Sequence, residues 1–408
     1  MAAVLPPLRM DLDFMPSPVE DRPGLLVRDP MGYSDATLII PPVLVPMLAC
    51  FDGEQTELDL RQQLVQATGQ LDVGGLQEHL LGALNQAGFL DNEEFARQKD
   101  ETQRRFAEAS VREPSHAGSA YPEDREELAE VCQMWMTEPA EAAAPSGKGK
   151  LLGIAAPHVS PIGGWGTYQA AFRALGDQRG RTFVVLGTSH YGVPDRFGLT
   201  RKGYETPFGT ARPALNLIDE LARKAPDSIQ MEDYCHAVEH SIEFQIVFLQ
   251  HLFGPDIEVL PVLCGSFVRS LYEGGLPERN ENVQRFFDAL GEIGAREGEK
   301  LTWVLGVDMA HMGTRYQDQL IAEANAGEML KVAALDKERM ASINRGDARE
   351  YWAQVQEQQD PLKWCGSSPF YTFLKTNPNL QGETLRYEQW NIDPQSVVSF
   401  AAMAFYRG

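Results

Sequence analysis

The sequence has 408 residues, 43% of them hydrophobic, 9% aromatic and 23% charged, a length and composition that suit two or three globular domains. The formal net charge of −22 offers no basic surface for phosphates, so we expect no nucleic acid partner. The sequence predicts neither a membrane span nor a signal peptide, and a cytoplasmic location follows as the default. Five scattered cysteines without a CxxC pair agree with a reducing compartment.

Residues 1–106 have the pattern of a small domain with three helices and a β-wing. Residues 1–110 hold 18 acidic residues and 8 basic ones. This excess of negative charge argues against DNA binding. Extended segments are predicted first and last, at Leu25–Val27, Ala36–Pro41 and Gly88–Leu90. Helices are predicted between them, at Pro42–Cys50, Glu57–Thr68 and Val73–Ala87. This order predicts a winged-helix domain.

A charged helical connector at 95–110 and a loop at 138–150 lead into a second pattern, in which apolar strands alternate with helices. The predicted strands are Leu151–Ala156, Thr182–Gly187, Ile257–Cys264, Leu301–Val307 and Val397–Phe405. The predicted helices are Thr167–Leu175, Leu215–Lys224, Val238–Phe253 and Asn282–Ala295. Continuous apolar strands separated by helices predict an α/β/α sandwich around a mainly parallel sheet.

Three of these strands run directly into residues that can bind a metal ion. His158 follows the first strand, His190 follows the second, and Asp308 and His311 follow the strand that starts at Leu301. Because the carboxyl ends of parallel strands meet at one edge of a sheet, we expect these side chains to share a site. Imidazole suits iron, copper and zinc, so the sequence predicts a mononuclear metal site.

A further ligand could come from the segment HAVEHSIEF at 236–244. His236, His240 and Glu243 are spaced to lie on one face of a helix, and Glu239 is a further candidate. The arrangement is similar to a metalloprotease helix, although the HEXXH order is absent. A helix that simply begins near Glu239 explains the same pattern.

Cys365 is the alternative ligand, because small residues and a predicted helix at 369–375 follow it. A thiol at a helix N-terminus has a lowered pKa, which favours the thiolate that binds metals. Spacing alone does not favour Cys365 over Cys235 or Cys264.

Eight short motifs resemble those of the Memo family and occur in the family's order from about residue 112 to 408. They are REPSHAGSAYPED at 112–124, AAPH at 155–158, VVLGTSHYG at 184–192, YETPFGT at 204–210, EHSIEFQIVFL at 239–249, VLGVDMAHMG at 304–313, CGSSPF at 365–370 and SVVSFAAMAFY at 396–406. Any one motif is weak evidence, but eight in order are specific. The loop after His158 departs from the family pattern, which leaves the substrate contacts there open.

The first part resembles the PqqD-type winged helix. The resemblance rests on RPGLLVRDP at 22–30, LIIPP at 38–42, FDGEQTELDL at 51–60 and GALNQAGFLD at 82–91. In that family the wing binds a leader peptide by adding a strand to its sheet. We therefore expect a PqqD-like domain at 1–106 and a Memo-type metal-binding domain at 107–408.

The Memo resemblance implies one metal ion per chain, with iron or copper favoured over zinc. It implies His158, His190 and Cys365 as ligands, and His240 as a residue that lines the pocket. The fold of the family is similar to that of class III extradiol dioxygenases. By that likeness His311 is the acid/base group and Asp308 orients a ligand, so that His311, Asp308 and His240 are the expected catalytic residues.

Three functions remain open from the sequence. The first is a dioxygenase-like redox enzyme with a small-molecule substrate, of the AmmeMemoRadiSam system protein B type, accompanied by radical-SAM and Ammecr-type proteins. The second is a non-catalytic scaffold or metal carrier for that system, with a peptide bound by the winged helix. The third is a zinc hydrolase, for which an open fourth zinc position is expected.

Overall fold

The computed structural model describes residues 3–17, 19, 21–146 and 149–408. The chain forms two compact units, residues 1–108 and residues 109–408. Within the described residues, no helix has both the length and the apolar character that crossing a membrane requires.

In the described part of unit 1, a three-stranded antiparallel sheet in the order β1-β2-β3 combines with three α-helices. The strands are β1 Asp13–Pro16, β2 Leu25–Arg28 and β3 Thr37–Ile40, and the helices are α1 Glu57–Thr68, α2 Gly74–Gln86 and α3 Glu93–Glu108. A capping box between Thr56 and Asp59 starts α1, and Gly69 ends it with a left-handed φ of 70°. The apolar core of the unit includes Leu60 and Leu84.

Two sequence predictions for unit 1 are wrong in detail. The segment predicted as a helix at Pro42–Cys50 forms only a 3-10 helix, Val45–Cys50, with Pro46 in its first turn. The predicted closing strand Gly88–Leu90 is reduced to one bridge between Leu8 and Leu90. The winged-helix assignment itself stays a prediction.

Unit 2 is built on one large sheet with helices packed against it. Its strands are β4 Val111–Arg112, β5 Leu151–Ala156, β6 Thr182–Thr188, β7 Phe197–Leu199, β8 Gly203–Thr206, β9 Gly209–Pro213, β10 Ile229–Met231, β11 Glu258–Cys264, β12 Leu301–Gly306, β13 His311–Gly313, β14 Leu380–Asp393 and β15 Ser396–Arg407. Its α-helices are α4 Arg125–Thr137, α5 Pro161–Ala174, α6 Leu215–Lys224, α7 Cys235–Val238, α8 His240–Phe253, α9 Val268–Glu273, α10 Glu281–Glu297, α11 Met329–Asn344, α12 Ala348–Gln356 and α13 Ser367–Thr376.

The sheet follows the order β13-β15-β5-β12-β6-β11-β9-β8-β4, with β14 paired to β15, and β7 and β10 attached beside β11. Its centre, β5-β12-β6-β11, is parallel throughout. These strands are buried on both faces, which explains their continuous apolar sequences. The predicted large, mostly parallel α/β sheet is confirmed. The half-exposed, polar strand β14 was not predicted.

Two glycines in adjacent strands let α8 approach the sheet closely. Gly187 of β6 and Gly306 of β12 are paired in register. A Cβ atom on Gly187 would lie 2.5 Å from the Oγ atom of Ser241, and one on Gly306 would collide with the backbone oxygen of Ser241. Because neither glycine carries a side chain, the first turn of α8 rests directly on the ends of two strands.

We expect Gly306→Ala to lower the free energy of unfolding of unit 2 by about 1–3 kcal/mol, because the added methyl group forces the backbone of α8 away from the sheet. Urea unfolding followed by fluorescence measures the change. Gly82→Ala is the control, since this helical glycine has nothing within 4 Å of the new atom, and it should not destabilise the protein. Equal stabilities for Gly306→Ala and the wild type would contradict this account of the packing.

Candidate metal centre

Three histidine rings meet at the carboxyl edge of the parallel strands. His158 follows β5, His190 follows β6, and His240 begins α8. The ring centroids lie 5.0–5.1 Å apart in all three pairs. One nitrogen atom from each ring lies within 4.8 Å of the others, which is the spacing of groups that could hold a metal ion.

His158 is held in one tautomer by the sheet beneath it. Its backbone N donates to the Oδ1 atom of Asp308 over 2.9 Å. Its Nδ1 atom lies 3.0 Å from the backbone oxygen of Gly306, which can only accept, so Nδ1 carries the hydrogen. The Nε2 lone pair is therefore free, 3.3 Å from the Sγ atom of Cys365. Burial lowers the pKa of His158 to about 3, which keeps the ring neutral.

Glu239 orients His190 and starts α8 with the same carboxylate. It accepts from the backbone N of His190 and from its Nδ1 atom, both over 3.0 Å. It also accepts from the backbone N atoms of His240 and Ser241 in the first turn of α8. Burial raises the pKa of Glu239, but the adjacent His190 outweighs burial and holds that pKa well below its ordinary value. An ionised carboxylate that orients a histidine is typical of metal sites.

The segment at 236–244 does not form the single helical face that its spacing predicted. The chain breaks at Glu239, whose backbone is extended with φ −77° and ψ 132°, so α7 and α8 are separate helices. His236 lies in α7, buried away from the three histidines, with its Nδ1 atom 2.5 Å from the hydroxyl oxygen of Tyr204. The metalloprotease-like interpretation of His236, His240 and Glu243 is therefore wrong.

Cys365 lies beside the histidines, in the turn that precedes α13. Its Sγ atom is 3.3 Å from Nε2 of His158, and its backbone oxygen accepts from the hydroxyl group of Thr188. Gly366 permits the close packing, because a Cβ atom there would lie 2.6 Å from the backbone oxygen of Asp308. Burial raises the pKa of the Cys365 thiol, which corrects the predicted lowering by the helix N-terminus. Without a bound cation, burial favours the neutral thiol.

Asp308 and His311 complete the same edge. Burial raises the pKa of the Asp308 carboxyl to about 6, and its Oδ2 atom lies 3.5 Å from Nε2 of His158. The Nδ1 atom of His311 donates to the backbone oxygen of Met309 over 2.9 Å, which leaves Nε2 free. Burial lowers the pKa of His311 to about 4, below the range near 6.5 expected from the sequence.

A buried carboxylate on α11 supports the loops on both sides of the site. Asp336 accepts from the indole N of Trp364 over 2.7 Å and from the hydroxyl groups of Tyr387 and Ser399 over 2.7 and 2.6 Å. Trp364 precedes Cys365, and the hydroxyl oxygen of Ser399 accepts from the backbone N of Ala310. One carboxylate therefore fixes the chain beside Cys365 and the chain beside His311.

A fourth histidine, His116, lies against His240, with ring centroids 5.5 Å apart. It is held by Glu243, which accepts from its backbone N over 3.1 Å and lies 3.0 Å from its Nδ1 atom. Arg112 forms an ion pair with Glu243 over 2.5 Å, and both side chains are fully buried. In the sequence, the segment 112–124 was identified only by its resemblance to a Memo-family motif. Its one histidine and the arginine four residues before it were the available signal.

The donor atoms fit a bound metal ion. The structure brings His158, His190, His240 and Cys365 together, with Asp308 and His311 at the same edge. His158 and His190 each have Nδ1 bonded to an acceptor, as metal-binding imidazoles do. Burial lowers the pKa of His190, but Glu239 and Cys365 outweigh burial and raise that pKa well above its ordinary value, so a metal ion would have to displace the proton from Nε2. His240 and Cys365 each offer a third donor atom beside His158.

A family model described as "Memo-like protein" matches residues 112–404. The chain belongs to the Memo family. This confirms the family expected from the eight motifs. The more specific AmmeMemoRadiSam type, the PqqD-like domain and the likeness to extradiol dioxygenases stay predictions.

Two MEMO1 family proteins match this chain over almost their whole length. A MEMO1 family protein of Aquifex aeolicus is 26% identical over 385 residues, which cover 93% of this chain and 96% of the relative. A MEMO1 family protein of Thermococcus kodakarensis is 25% identical and covers 73% of this chain and 100% of the relative. The crystal structure of an uncharacterized Escherichia coli K12 protein matches 59% of this chain and 92% of its own, with 12% sequence identity and a TM-score of 0.37.

The ion pair between Arg112 and Glu243 should govern part of the acid stability of unit 2. Burial raises the pKa of Glu243, but Arg112 and His116 outweigh burial and hold that pKa at about 2. An unfolded glutamate titrates near about 4.3, so this stabilisation is present above about pH 4.3 and is lost as the pH falls toward 2.

We expect Glu243→Gln to lower the free energy of unfolding at about pH 7 by roughly 3–5 kcal/mol, because it leaves the Arg112 charge buried without its partner. The difference from the wild type should shrink at acid pH, where the wild-type carboxylate is protonated too. Urea unfolding at several pH values measures both effects. Glu130→Gln, which changes an exposed residue of α4, is the control. A pH-independent difference would contradict the assignment.

Proposed function

We propose that unit 2 is a metal-dependent redox protein with one principal metal ion at the sheet edge. The observation that supports it best is the set of three imidazoles within 4.8 Å of one another, with a thiol 3.3 Å from one of them. Two of the imidazoles, those of His158 and His190, have Nδ1 bonded to an acceptor. Imidazole suits iron, copper and zinc, and a thiolate adds preference for softer ions such as copper or zinc. Iron or copper is the choice that the Memo resemblance implies, and zinc is the ion of the hydrolase alternative.

His158, His190 and Cys365 would hold this ion, with His240 beside them. A bound iron or copper ion would supply one-electron redox chemistry and an open position for a small molecule. In the protein without metal the Cys365 thiol has a raised pKa, so binding as a thiolate requires that the thiol proton be released. Metal binding would therefore release this proton to solvent, because the Nε2 atom of His158 is itself needed as a ligand.

His311 is the group that would move protons to or from the small molecule. Its Nδ1 atom is committed to the backbone oxygen of Met309, so proton transfer can occur only at Nε2. The neighbouring Asp308 bonds to the backbone N of His158 and stabilises a positive charge on His311. These two residues would thus divide the roles of orienting the site and transferring the proton.

Elemental analysis of anaerobically purified protein tests the proposal. We expect about one iron or copper ion per wild-type chain and almost none in His190→Ala or Cys365→Ser, since each substitution removes a ligand. His251→Ala is the matched control, because His251 lies near the other end of α8, and it should keep the ion. Stoichiometric metal in His190→Ala would exclude this site. Zinc in place of iron and copper would favour the hydrolase.

A second candidate function, peptide binding, concerns unit 1. Among the described residues, β3 pairs only with β2, so one edge of β3 can accept another strand. We propose that this edge binds an extended peptide from a partner, such as a radical-SAM or Ammecr-type protein. In that case the metal site would serve a larger assembly, as a scaffold or metal carrier would.

Selection of a displayed peptide library on the full chain tests this second function. We expect the selected peptides to slow amide hydrogen exchange at Thr37–Ile40, because an added strand bonds to the free backbone groups of β3. Exchange in α1 serves as the internal control and should not change. Selected peptides that leave β3 unprotected, or a selection that yields none, would contradict peptide binding at this edge.

A further inference from the structure

The start of α8 holds two histidines by the same arrangement, one helical turn apart. Glu239 accepts from both the backbone N and the Nδ1 atom of His190, each over 3.0 Å. Glu243, four residues later, accepts from the backbone N and the Nδ1 atom of His116, over 3.1 and 3.0 Å. Both carboxylates are buried, and the two histidine side chains are 27% and 26% exposed. The environment of His116 therefore repeats that of His190.

The repeated arrangement fixes which nitrogen of His116 is available. An ionised carboxylate only accepts hydrogen bonds, so the hydrogen of the neutral ring lies on Nδ1. Arg112 pairs with Glu243 and keeps it ionised. None of the described residues bonds to the Nε2 atom of His116, and the side chain is 26% exposed. A histidine whose Nδ1 donates to a carboxylate is the form that metal sites use.

His240 lies between the two oriented histidines. Its ring centroid is 5.1 Å from that of His190 and 5.5 Å from that of His116. Its Nδ1 atom is 3.3 Å from Glu239, which leaves Nε2 to bind a cation. If His158, His190 and Cys365 hold the principal ion, the imidazole of His240 is not needed there. It is then available to a second ion, and the centroid of its ring lies 5.5 Å from that of His116.

We propose that His116 and His240 bind a second divalent transition-metal ion beside the first. Two neutral imidazoles select ions such as cobalt, copper or zinc over magnesium or calcium. The side chains are 26% and 33% exposed, so water can complete the coordination. This inference rests on the proposed function, because a neighbouring ion at His158, His190 and Cys365 leaves His240 free for the second position.

Anaerobic titration of the metal-free full chain with Co²⁺ tests the inference, with equilibrium dialysis and visible absorption as readouts. We expect two cobalt ions per wild-type chain, and the tighter one to show a charge-transfer band from the thiolate. His116→Asn should bind one ion and keep that band. The asparagine amide can still donate to Glu243, so this variant removes Nε2 while it preserves the tether. His251→Ala should bind two ions.

Three other results would contradict the second site. One cobalt ion per wild-type chain, with none in His190→Ala, would leave the principal site standing and overturn the inference. Two ions retained in His116→Asn would also overturn it, since the second ion would then lie elsewhere. No cobalt bound to the wild type would remove the proposed function and the second site together. An unchanged unfolding transition in His116→Asn shows that the fold is kept.

Discussion

The buried carboxylate of Glu239 is the interaction on which the geometry of the site depends. It accepts hydrogen bonds from His190, His240 and Ser241, and so joins the end of β6 to the start of α8. The charge can remain buried because these donors surround it. The missing side chains of Gly187 and Gly306 allow the approach, and Arg112 donates to the backbone oxygen of Glu239 itself. The carboxylate of Glu239 therefore positions the end of β6, the start of α8 and the imidazole of His190.

The opposite side of the site is supported by a separate polar network. Asp336 holds the chain next to Cys365 through Trp364, and it holds the chain next to His311 through Ser399. The histidines around α8 and the pair of Cys365 and His311 are thus fixed by different carboxylates. Each carboxylate is buried and fully bonded, which gives the cluster little freedom to rearrange. Such preorganisation suits a site that must present its donor atoms at fixed separations.

The central strands and the position of the site could be predicted from the sequence because both follow from local rules. A strand buried on both faces must be apolar throughout, and the residue after it lies at the edge of the sheet. This reasoning located His158, His190 and Asp308. The sequence left the break at Glu239 open, because helical spacing continues through it and a helix that begins near Glu239 fits the same pattern. The extended cap is stabilised by the local N–H groups of His240 and Ser241 and by the distant His190. The strand β14 was not predicted because it is half-exposed, so its sequence lacks a continuous apolar run.

The chemical states of the site residues were also beyond the sequence. A helix N-terminus lowers the pKa of a thiol, but Cys365 is buried, and burial has the larger effect. His311 follows the same rule, with a pKa far below that of a free imidazole. His116 was overlooked because its partner Glu243 is 127 residues away along the chain. Long-range partners decide these properties, and a single sequence does not reveal which partners meet.

The metal site can assemble only after β15, near the C-terminal end of the sequence, has been synthesised. This strand lies between β13 and β5, and its Ser399 bonds to the loop that carries His311. His158 is made about 240 residues earlier on the ribosome, at a synthesis rate of roughly 5–20 residues per second. The nascent chain therefore carries the unassembled His158 for tens of seconds. A chaperone or a low concentration of free metal during translation would protect it from premature, incorrect coordination.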